Sequence, residues 1–317
     1  MRPAPRPDPV FDMATTLYLD DLAATVVGAL AGAGVRAILL KGASFRDLLF
    51  DAGELRRYAD VDLLISPAAQ ADAAVVLEGL GFVDTFAGAA PSETSPFATE
   101  FRGPRAAIDL HRSLPGVTVP DAEAWAVLSA RTTAMALSRR PVETLDDAGR
   151  CLHVALNAVS DGKARSRDDL RRAVERLPEA TWREVVARAE ALGAVASLAG
   201  AFDLVPEAEG LRRSLGLDVR VPVGVTLRAV SPPPLAVGFH RLVTTPGLRA
   251  RAAFLARRLV PTPSGLRYWS PLARRGRAGM VLAYLWRPFH LVLHAPAAVA
   301  AVVRTWRRSR RPTPPDR

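Results

Sequence analysis

Two aspartates, Asp60 and Asp62, occupy alternate positions at the start of one apolar stretch, "DVDLLI". Side chains two residues apart in a β-strand point to the same face, about 7 Å apart along the strand, so both carboxylates lie on one side. Two carboxylates about 4 Å apart repel each other by ~4 kcal/mol at an effective dielectric constant of about 20. A divalent cation reverses this cost, and carboxylate oxygens suit Mg²⁺ or Mn²⁺. The spacing therefore predicts a metal site.

A third carboxylate, Asp109, follows a β-like run in "AAIDLHRSL". We expect it on a strand of the same sheet, next to the strand that carries Asp60 and Asp62. Three acidic ligands on adjacent strands can hold two metal ions about 3.5–4 Å apart, which clamp the attacking and leaving oxygens of a phosphoryl group. Asp109 would then ligate the metal nearer the nucleophile and orient or deprotonate the attacking group.

A phosphate-binding turn is predicted at Gly42, where an earlier strand in "VRAILLKG" passes into a helix. A helix N-terminus presents backbone N–H groups that have no partner within the helix, and a residue without a side chain lets a triphosphate approach them. Ser44 would add a hydroxyl donor. Lys41, together with Arg56 or Arg57, would offset the negative charge of the leaving pyrophosphate.

The periodicity of apolar residues predicts the elements that position these side chains. Up to residue 118 we expect helices over 12–34, 43–53 and 68–82, strands over 35–42 and 60–66, and a hairpin within 82–112. From Pro120 onward the pattern is mainly helical and includes one helix over residues 121–137. The sequence thus predicts an α+β fold, in which a small mixed β-sheet core with flanking helices precedes a mainly α-helical region. The predicted domains are residues 11–118, 119–260 and 261–317.

The formal net charge of +10 comes almost entirely from arginine, since Lys41 and Lys163 are the only lysines. Together with the high alanine content, this bias points to a GC-rich coding sequence, so charge alone does not favour nucleic acid as a partner. The single cysteine, Cys151, excludes an internal disulfide and a cysteine-based zinc site. No secretory signal is visible at the start, and the cytoplasm is the expected compartment.

The C-terminal stretch, residues 278–311, is apolar for most of its length. Its centre is interrupted by one arginine, two histidines and two prolines: Arg287, Pro288, His290, His294 and Pro296. A membrane-spanning helix needs about 20 mostly apolar residues, and a central charge costs at least ~2.5 kcal/mol. We expect helices packed on the body of the protein and a solvated basic tail. A helix on the membrane surface, anchored by Trp286, Trp306 and the basic cluster, is the alternative.

Three segments in this order resemble a known family. "LLKG", "RRYADVDLLI" and "IDLHRSL" look like the uncharacterised nucleotidyltransferase family of the polymerase-β-like superfamily, over roughly residues 15–175. The resemblance implies metal-dependent transfer of a nucleoside monophosphate from an NTP to an acceptor, with pyrophosphate release. The matching positions are Lys41, Gly42, Arg56, Asp60, Asp62, Asp109 and His111. The later segment with His153 and Asn157 resembles the helical part of the family.

The sequence leaves two alternatives open. Ala43 separates Gly42 from Ser44, whereas the superfamily usually has Ser or Gly directly after this glycine. This departure motivates the first alternative, a non-catalytic nucleotide-binding accessory protein of a biosynthetic cluster. The second alternative is an accessory protein on the membrane surface, which would act through the C-terminal stretch. The acceptor and the base of the nucleotide are not encoded by any of these motifs.

Overall fold

The computed structural model describes residues 9–90, 93–230, 232–233 and 235–309. The chain forms two compact units. Unit 1 consists of the described residues up to Thr85, Phe97–Val154 and Glu175–Leu192, and unit 2 of Phe86–Pro96, Ala155–Val174 and the described residues from Gly193 onward. Each unit therefore combines separate stretches of the chain, whereas the sequence analysis divided the chain in order at residues 118 and 260.

Unit 1 contains a seven-stranded mixed sheet with the order β3-β4-β5-β2-β1-β7-β6. The strands are β1 (Ala37–Leu39), β2 (Asp60–Ile65), β3 (Val83–Asp84), β4 (Ala98–Arg102), β5 (Ala107–His111), β6 (Thr132–Leu137) and β7 (Arg140–Leu145). The pairs β2–β5 and β1–β7 are parallel, and the other four pairs are antiparallel. This mixed sheet with flanking helices, followed by a helical region, confirms the predicted α+β fold.

The helices account for most of the remaining chain. The first seven are α1 (Pro9–Gly32), α2 (Ala43–Leu49), α3 (Gln70–Gly79), α4 (Asp121–Ser129), α5 (Asp147–Asp161), α6 (Ala164–Arg176) and α7 (Glu179–Ala191). The others are α8 (Val195–Phe202), α9 (Glu209–Ser214), α10 (Val223–Ala229), α11 (Ala236–Thr244), α12 (Leu248–Leu259), α13 (Pro263–Trp269) and α14 (Gly276–Ser309). Short 3₁₀ helices occupy Pro67–Ala69, Pro206–Ala208 and Pro271–Arg274.

The alternation of β2 separates its two faces. Val61, Leu63 and Ile65 are buried in a core cluster with Val26 and Leu30 of α1. Because side chains alternate along a strand, the two aspartates of β2 project from the face opposite this core. The apolar half of the strand therefore fixes the register that sets the carboxylates at the other face.

One prediction about unit 1 is wrong. Instead of a helix over residues 121–137, α4 ends at Ser129, and β6 and β7 form an antiparallel hairpin. The two turn residues, Ser138 and Arg139, have φ angles of 47° and 63°. Two-residue hairpin turns require positive φ and usually contain Asn or Gly, so this turn lacks its usual sequence signal. The sheet consequently continues past residue 118, where the sequence analysis placed the end of the mixed core.

Unit 2 is helical and contains two small apolar clusters. One joins Leu227 of α10 and Ala236 of α11 to the C-terminal half of α14, and the other joins Leu266 of α13 to Ala283 of α14. By length and composition, α14 and the N-terminal α1 would each suffice to cross a membrane. Burial inside the protein accounts for part of the apolar surface of each helix.

Candidate active site

The register of two neighbouring strands sets carboxylates side by side. In the parallel pair of β2 and β5, Asp62 lies opposite Asp109. Ligand atoms of Asp62, Asp109 and His111 all lie within 4.8 Å of one another. Asp60 lines the same cavity as Asp62, Lys41 and Gly42, although it is not one of the three close residues. The structure thus brings most of the predicted site residues to one place.

Asp62 is the centre of this cluster and is 2% exposed. Its Oδ1 accepts a hydrogen bond from Lys41 Nζ at 2.7 Å and lies 2.9 Å from His111 Nε2. Burial alone would raise the pKa of Asp62, but the Lys41 ammonium and His111 hold it well below its usual range. Burial alone would lower the pKa of Lys41, yet the charges of Asp62, Asp60 and Asp109 raise it. Both groups are therefore charged at neutral pH.

The pKa of Asp109 is raised, in contrast to that of Asp62. Burial, followed by the negative charges of Asp62 and Asp60, raises its pKa to about 7. Lys41 opposes this effect without cancelling it. A carboxylate with a raised pKa beside ionised neighbours marks a place where negative charge exceeds its compensation.

Two buried histidines lie behind the carboxylates. His111 stacks on Phe97 with ring centroids 5.9 Å apart, and its Nδ1 has no hydrogen-bond partner among the described residues. His153 of α5 is fully buried, contacts Phe45 edge-on and lies 6.5 Å from His111 between ring centroids. Burial and the charges of Lys41 and His111 lower the pKa of His153 well below its usual value, so its ring is neutral.

Gly42 is required by its backbone and by its neighbour. Its φ is 60°, and a Cβ added there would lie 3.2 Å from the ring of Tyr58. The Tyr58 hydroxyl donates to Asp20 of α1, and Asp20 also pairs with Arg46 of α2 at 2.7 Å. Burial and this hydrogen bond raise the pKa of Tyr58. Tyr58 is thus a neutral aromatic side chain fixed against the turn.

The hydroxyl of Ser44, which was predicted to contact phosphate, is turned inward in the structure. The Ser44 hydroxyl is buried and lies 2.6 Å from Thr144 Oγ1, which itself donates to the Leu39 carbonyl. Because Thr144 has only one hydroxyl proton, Ser44 must donate to Thr144. Its proton therefore joins α2 to β7, and the separation of Gly42 from Ser44 by one residue turns the hydroxyl inward.

The two predicted arginines have different surroundings. Arg56 is 4% exposed, its guanidinium lies over the ring of Phe45, and its Nη1 donates to the Gly42 carbonyl at 3.4 Å. Arg57 is exposed and pairs with Asp12 of α1 at 2.7 Å. Arg56 therefore supports the glycine turn, whereas Arg57 forms an ion pair with α1.

The cluster of Asp62, Asp109 and His111 fits a divalent cation. Two carboxylates and an imidazole within 4.8 Å match the ligand types that Mg²⁺ and Mn²⁺ accept in proteins. The excess negative charge at Asp109 is a feature that a cation would satisfy. Lys41 supplies part of that positive charge in the structure.

Sequence reasoning missed Thr144, Tyr58 and Asp20. Tyr58 lies two residues before Asp60, in the segment that carries the motif, but an aromatic residue there gave no chemical signal. Thr144 belongs to β7, in a region that was predicted to be mainly helical, so its contact with Ser44 could not be inferred. Asp20 lies on α1, where a buried acid within a helical pattern was the available signal.

The profile of the family described as uncharacterised nucleotidyltransferase matches residues 13–208, which is more than half of the 317 residues. The chain belongs to this family and is a nucleotidyltransferase enzyme. No curated protein sequence matches the chain.

Three solved structures are similar at low identity. The solution structure of the antibiotic-resistance factor ANT(2″)-Ia is 15% identical with a TM-score of 0.41, covering 58% of this chain and 95% of that one. The crystal structure of ANT(2″)-Ia with adenylyl-2″-tobramycin is 14% identical with a TM-score of 0.40, covering 54% and 97%. An antigenic nucleotidyltransferase-like protein from Paracoccidioides brasiliensis is 15% identical with a TM-score of 0.33, covering 56% and 92%. The family match, and not these similarities, identifies the chain.

Proposed function

We propose that this enzyme transfers a nucleoside monophosphate from an NTP to a hydroxyl group of an acceptor and releases pyrophosphate. The observation that carries the proposal is the register of β2 and β5, which sets Asp62 directly beside Asp109. The next strand, β1, ends just before Lys41 and Gly42, which line one cavity with Asp60 and Asp62. Carboxylates, a cation and a glycine turn therefore lie together, as transfer of a charged phosphoryl group requires.

Asp62 and Asp109 would hold Mg²⁺ or Mn²⁺, with Asp60 as a further carboxylate of the same cavity. When bound, the ion would neutralise negative charge on the triphosphate. Lys41 donates to the Asp62 oxygen that an ion would also use. We therefore expect Lys41 to exchange Asp62 for a phosphate oxygen when the NTP and its ion bind.

The backbone of Gly42 would approach the phosphates from the turn. Arg56 holds the Gly42 carbonyl from inside, so it acts as a positioning residue. Tyr58 and Asp20 hold the other side of the turn. Such fixed backbone donors stabilise developing charge without reorganisation during the reaction.

Asp109 would accept the proton of the acceptor hydroxyl. As the bond from that oxygen to the α-phosphorus forms, the bond to the pyrophosphate oxygen breaks, and the proton moves to a carboxylate oxygen of Asp109. This role follows from the position of Asp109 at the edge of the cluster, where it is less buried than Asp62. The acceptor is defined here only as a molecule that carries a hydroxyl group.

The experiment is a screen of the purified protein with the four labelled NTPs, an extract as the source of acceptor, and either Mg²⁺ or EDTA. We expect transfer of label with Mg²⁺ and none with EDTA. Asp60→Ala should lower transfer at least ~100-fold, because the loss of one ligand removes several kcal/mol of charge stabilisation. Circular dichroism should show an unchanged fold, since Asp60 is partly exposed and its removal relieves repulsion.

Asp72→Ala is the matched control, because Asp72 is an exposed acid on α3 in the same unit. It should keep full transfer. Full turnover by Asp60→Ala would contradict the proposed metal site. Wild-type protein that binds ATP with Mg²⁺ but yields no labelled product from any extract would instead favour the accessory role.

A second property, contact with a membrane surface, is favoured by one specific observation. Seven large apolar side chains on one side of α14 are each more than half exposed: Val281, Leu282, Leu285, Trp286, Phe289, Val292 and Leu293. Arginines lie at both ends of this helix, including Arg277 and Arg304. An apolar face with flanking cations is typical of helices that lie in the interface of an anionic membrane. We propose that α14 makes this peripheral contact.

Flotation with vesicles that contain anionic lipid tests this contact. Phe289→Gln should lower the bound fraction several-fold, because Phe289 is 68% exposed and its burial would occur only in the membrane. Val75→Gln on α3 is the control, since Val75 is 69% exposed and lies in unit 1. Equal binding of wild type and Phe289→Gln would exclude α14 as the contact.

A further inference from the structure

One long segment of the chain lacks acidic residues. Residues 219–315 contain 17 arginines and no aspartate or glutamate, whereas the first 218 residues have 31 acidic and 24 basic side chains. The positive net charge of the protein therefore comes entirely from its last third. Arginines in this segment can form ion pairs only with acids from other parts of the chain or with a ligand.

A cavity of about 160 Å³ in unit 2 gathers four of these arginines. Arg241 comes from α11, Arg257 and Arg258 from α12, and Arg287 from α14. Since one water molecule needs only ~10–15 Å³, the cavity has room for a polyatomic anion. The remaining lining residues are Glu93, Thr94, Phe254, Pro261 and Trp269. We call this site the arginine pocket.

Three of the four guanidinium groups of the arginine pocket have contacts that hold them in place. Arg241 and Arg258 lie over the ring of Phe254, at 5.6 and 5.5 Å from its centroid. Arg287 Nε donates to the Arg258 carbonyl at 3.1 Å. Within the described ranges, none of the four arginines forms an ion pair. Burial, and then the charge of Arg241, lowers the pKa of Arg258, while burial and Arg258 do the same to Arg287.

Glu93 is the carboxylate that the lining contains among the described residues, and its oxygens accept hydrogen bonds from backbone and hydroxyl groups. Its Oε1 accepts from the Thr262 backbone N–H at 2.8 Å, and its Oε2 accepts from the Thr262 hydroxyl and the Ala90 N–H. Burial alone would raise the pKa of Glu93, but these hydrogen bonds lower it. Its charge therefore fixes the Thr262 turn and compensates only part of the four cations.

We propose that the arginine pocket binds a phosphate group, either as free phosphate or as the end of a phosphate monoester. A monoester phosphate carries a charge of about −1.5 to −2 near pH 7 and three acceptor oxygens, which guanidinium groups bind in a bidentate manner. Four converging guanidiniums provide more donors than a single carboxylate would use. Trp269 and Phe254 offer an apolar wall to whatever group the phosphate carries. The pocket is separate from the carboxylate site and does not depend on the proposed transfer.

Calorimetric titration of the full chain with inorganic phosphate tests the pocket, with chloride added to keep ionic strength constant. We expect saturable binding by the wild type. Arg258→Gln and Arg241→Gln should each weaken it at least about tenfold, because each removes a charged donor from the site. Arg241 is exposed, so its variant keeps the test valid if Arg258→Gln fails to fold.

Arg249→Gln is the matched control, because it removes the same charge from an exposed position of α12 outside the pocket. It should bind phosphate within about twofold of the wild type, since a distant exposed charge is largely screened. Equal weakening in Arg249→Gln and Arg258→Gln would overturn the proposal in favour of general charge attraction. An absence of saturable binding by wild type, both to phosphate and to vesicles, would also overturn it.

Vesicles distinguish the two sources of the phosphate group. One set contains phosphatidylcholine with phosphatidate, and the other contains phosphatidylcholine with phosphatidylserine at equal charge. A preference for phosphatidate that Arg258→Gln abolishes supports a lipid headgroup as the ligand. Phosphate binding in solution without such a preference supports a soluble phosphate or monoester.

Discussion

The carboxylate site of unit 1 brings negative side chains close together, and the arginine pocket of unit 2 does the same with positive side chains. In unit 1, Asp62 and Asp109 share one nearby cation, Lys41, which donates directly to Asp62. In unit 2, four arginines surround a cavity, and the oxygens of Glu93 accept hydrogen bonds from Ala90 and Thr262. The acidic site thus contains its own direct counter-charge, whereas no carboxylate among the described residues forms an ion pair with the arginines of the basic pocket.

The difference in counter-charge shows how each cluster is stabilised in the absence of a ligand. Asp62 can be almost fully buried because Lys41 and His111 compensate its charge. The arginines of the pocket remain exposed or partly exposed, and Arg241 and Arg258 lie over the ring of Phe254. Crowded like charges lower stability in either case, so both clusters are better explained by a ligand than by folding.

The largest expected effect on stability comes from removing the counter-charge of the acidic site. Lys41→Met should lower the free energy of unfolding by about 2 to 3 kcal/mol, because Asp62 would stay buried with only His111 as a partner. The effect stays below that of a fully buried pair, since the Lys41 side chain is 23% exposed. Urea denaturation in EDTA measures it.

Lys163→Met is the control, since Lys163 is the only other lysine, is itself exposed, and lies 3.8 Å from Asp161. It should cost less than ~0.5 kcal/mol. Equal effects in the two variants would show that Lys41 and Asp62 are not coupled in solution. The acidic site would then be no better compensated than the arginine pocket.

Relief of like-charge repulsion should raise the free energy of unfolding, whereas the loss of Lys41 should lower it. The pKa of Asp109 is raised to about 7 by burial and by Asp62 and Asp60, so the folded state binds this proton more tightly than the unfolded state. Its penalty is absent below about pH 4, grows between pH ~4 and 7 and stays constant above. Asp109→Asn should therefore be about 1 to 2 kcal/mol more stable than wild type at pH 8, and equally stable at low pH.

Denaturation of both proteins from pH 4 to pH 8 in EDTA measures this difference. Asp72→Asn, at an exposed position, controls for the loss of one negative charge. Addition of Mg²⁺ at pH 8 should stabilise the wild type more than Asp109→Asn, because a bound cation favours the ionised carboxylate. A wild type that is as stable as Asp109→Asn at every pH would show that the carboxylates do not crowd one another.

The part of the site that could be predicted from the sequence is the part encoded by strand alternation. The spacing of Asp60 and Asp62 and the apolar residues between and after them define a face, and the hairpin before Asp109 places a second strand nearby. The register that matches Asp62 with Asp109 depends on packing against α1 and could not be read from these motifs. For this reason the assignment of each carboxylate to a metal ion stays a prediction, even though the residues lie together.

Long-range contacts explain what the sequence did not reveal. The inward turn of Ser44 depends on Thr144, which lies 100 residues later on β7, in a region that was predicted to be mainly helical. The arginine pocket combines residues from Glu93 to Arg287, and no local pattern joins them. The arginine content was interpreted as a bias of the coding sequence. The separation of arginines from acidic residues in the last third of the chain could have been read from the same sequence.

An effect on stability similar in size to that of Asp109→Asn is expected at a buried ionisable residue that belongs to neither cluster. Cys151 of α5 is fully buried, and burial raises the pKa of its thiol to about 12. Cys151→Ser should cost about 1 to 2 kcal/mol of stability, because the hydroxyl would be buried without an assured partner, and should leave nucleotidyl transfer unchanged. Thiol reagents should inactivate the enzyme no faster than it unfolds. Rapid inactivation of folded protein would place this thiol in the site and extend the crowded region of unit 1 beyond its carboxylates.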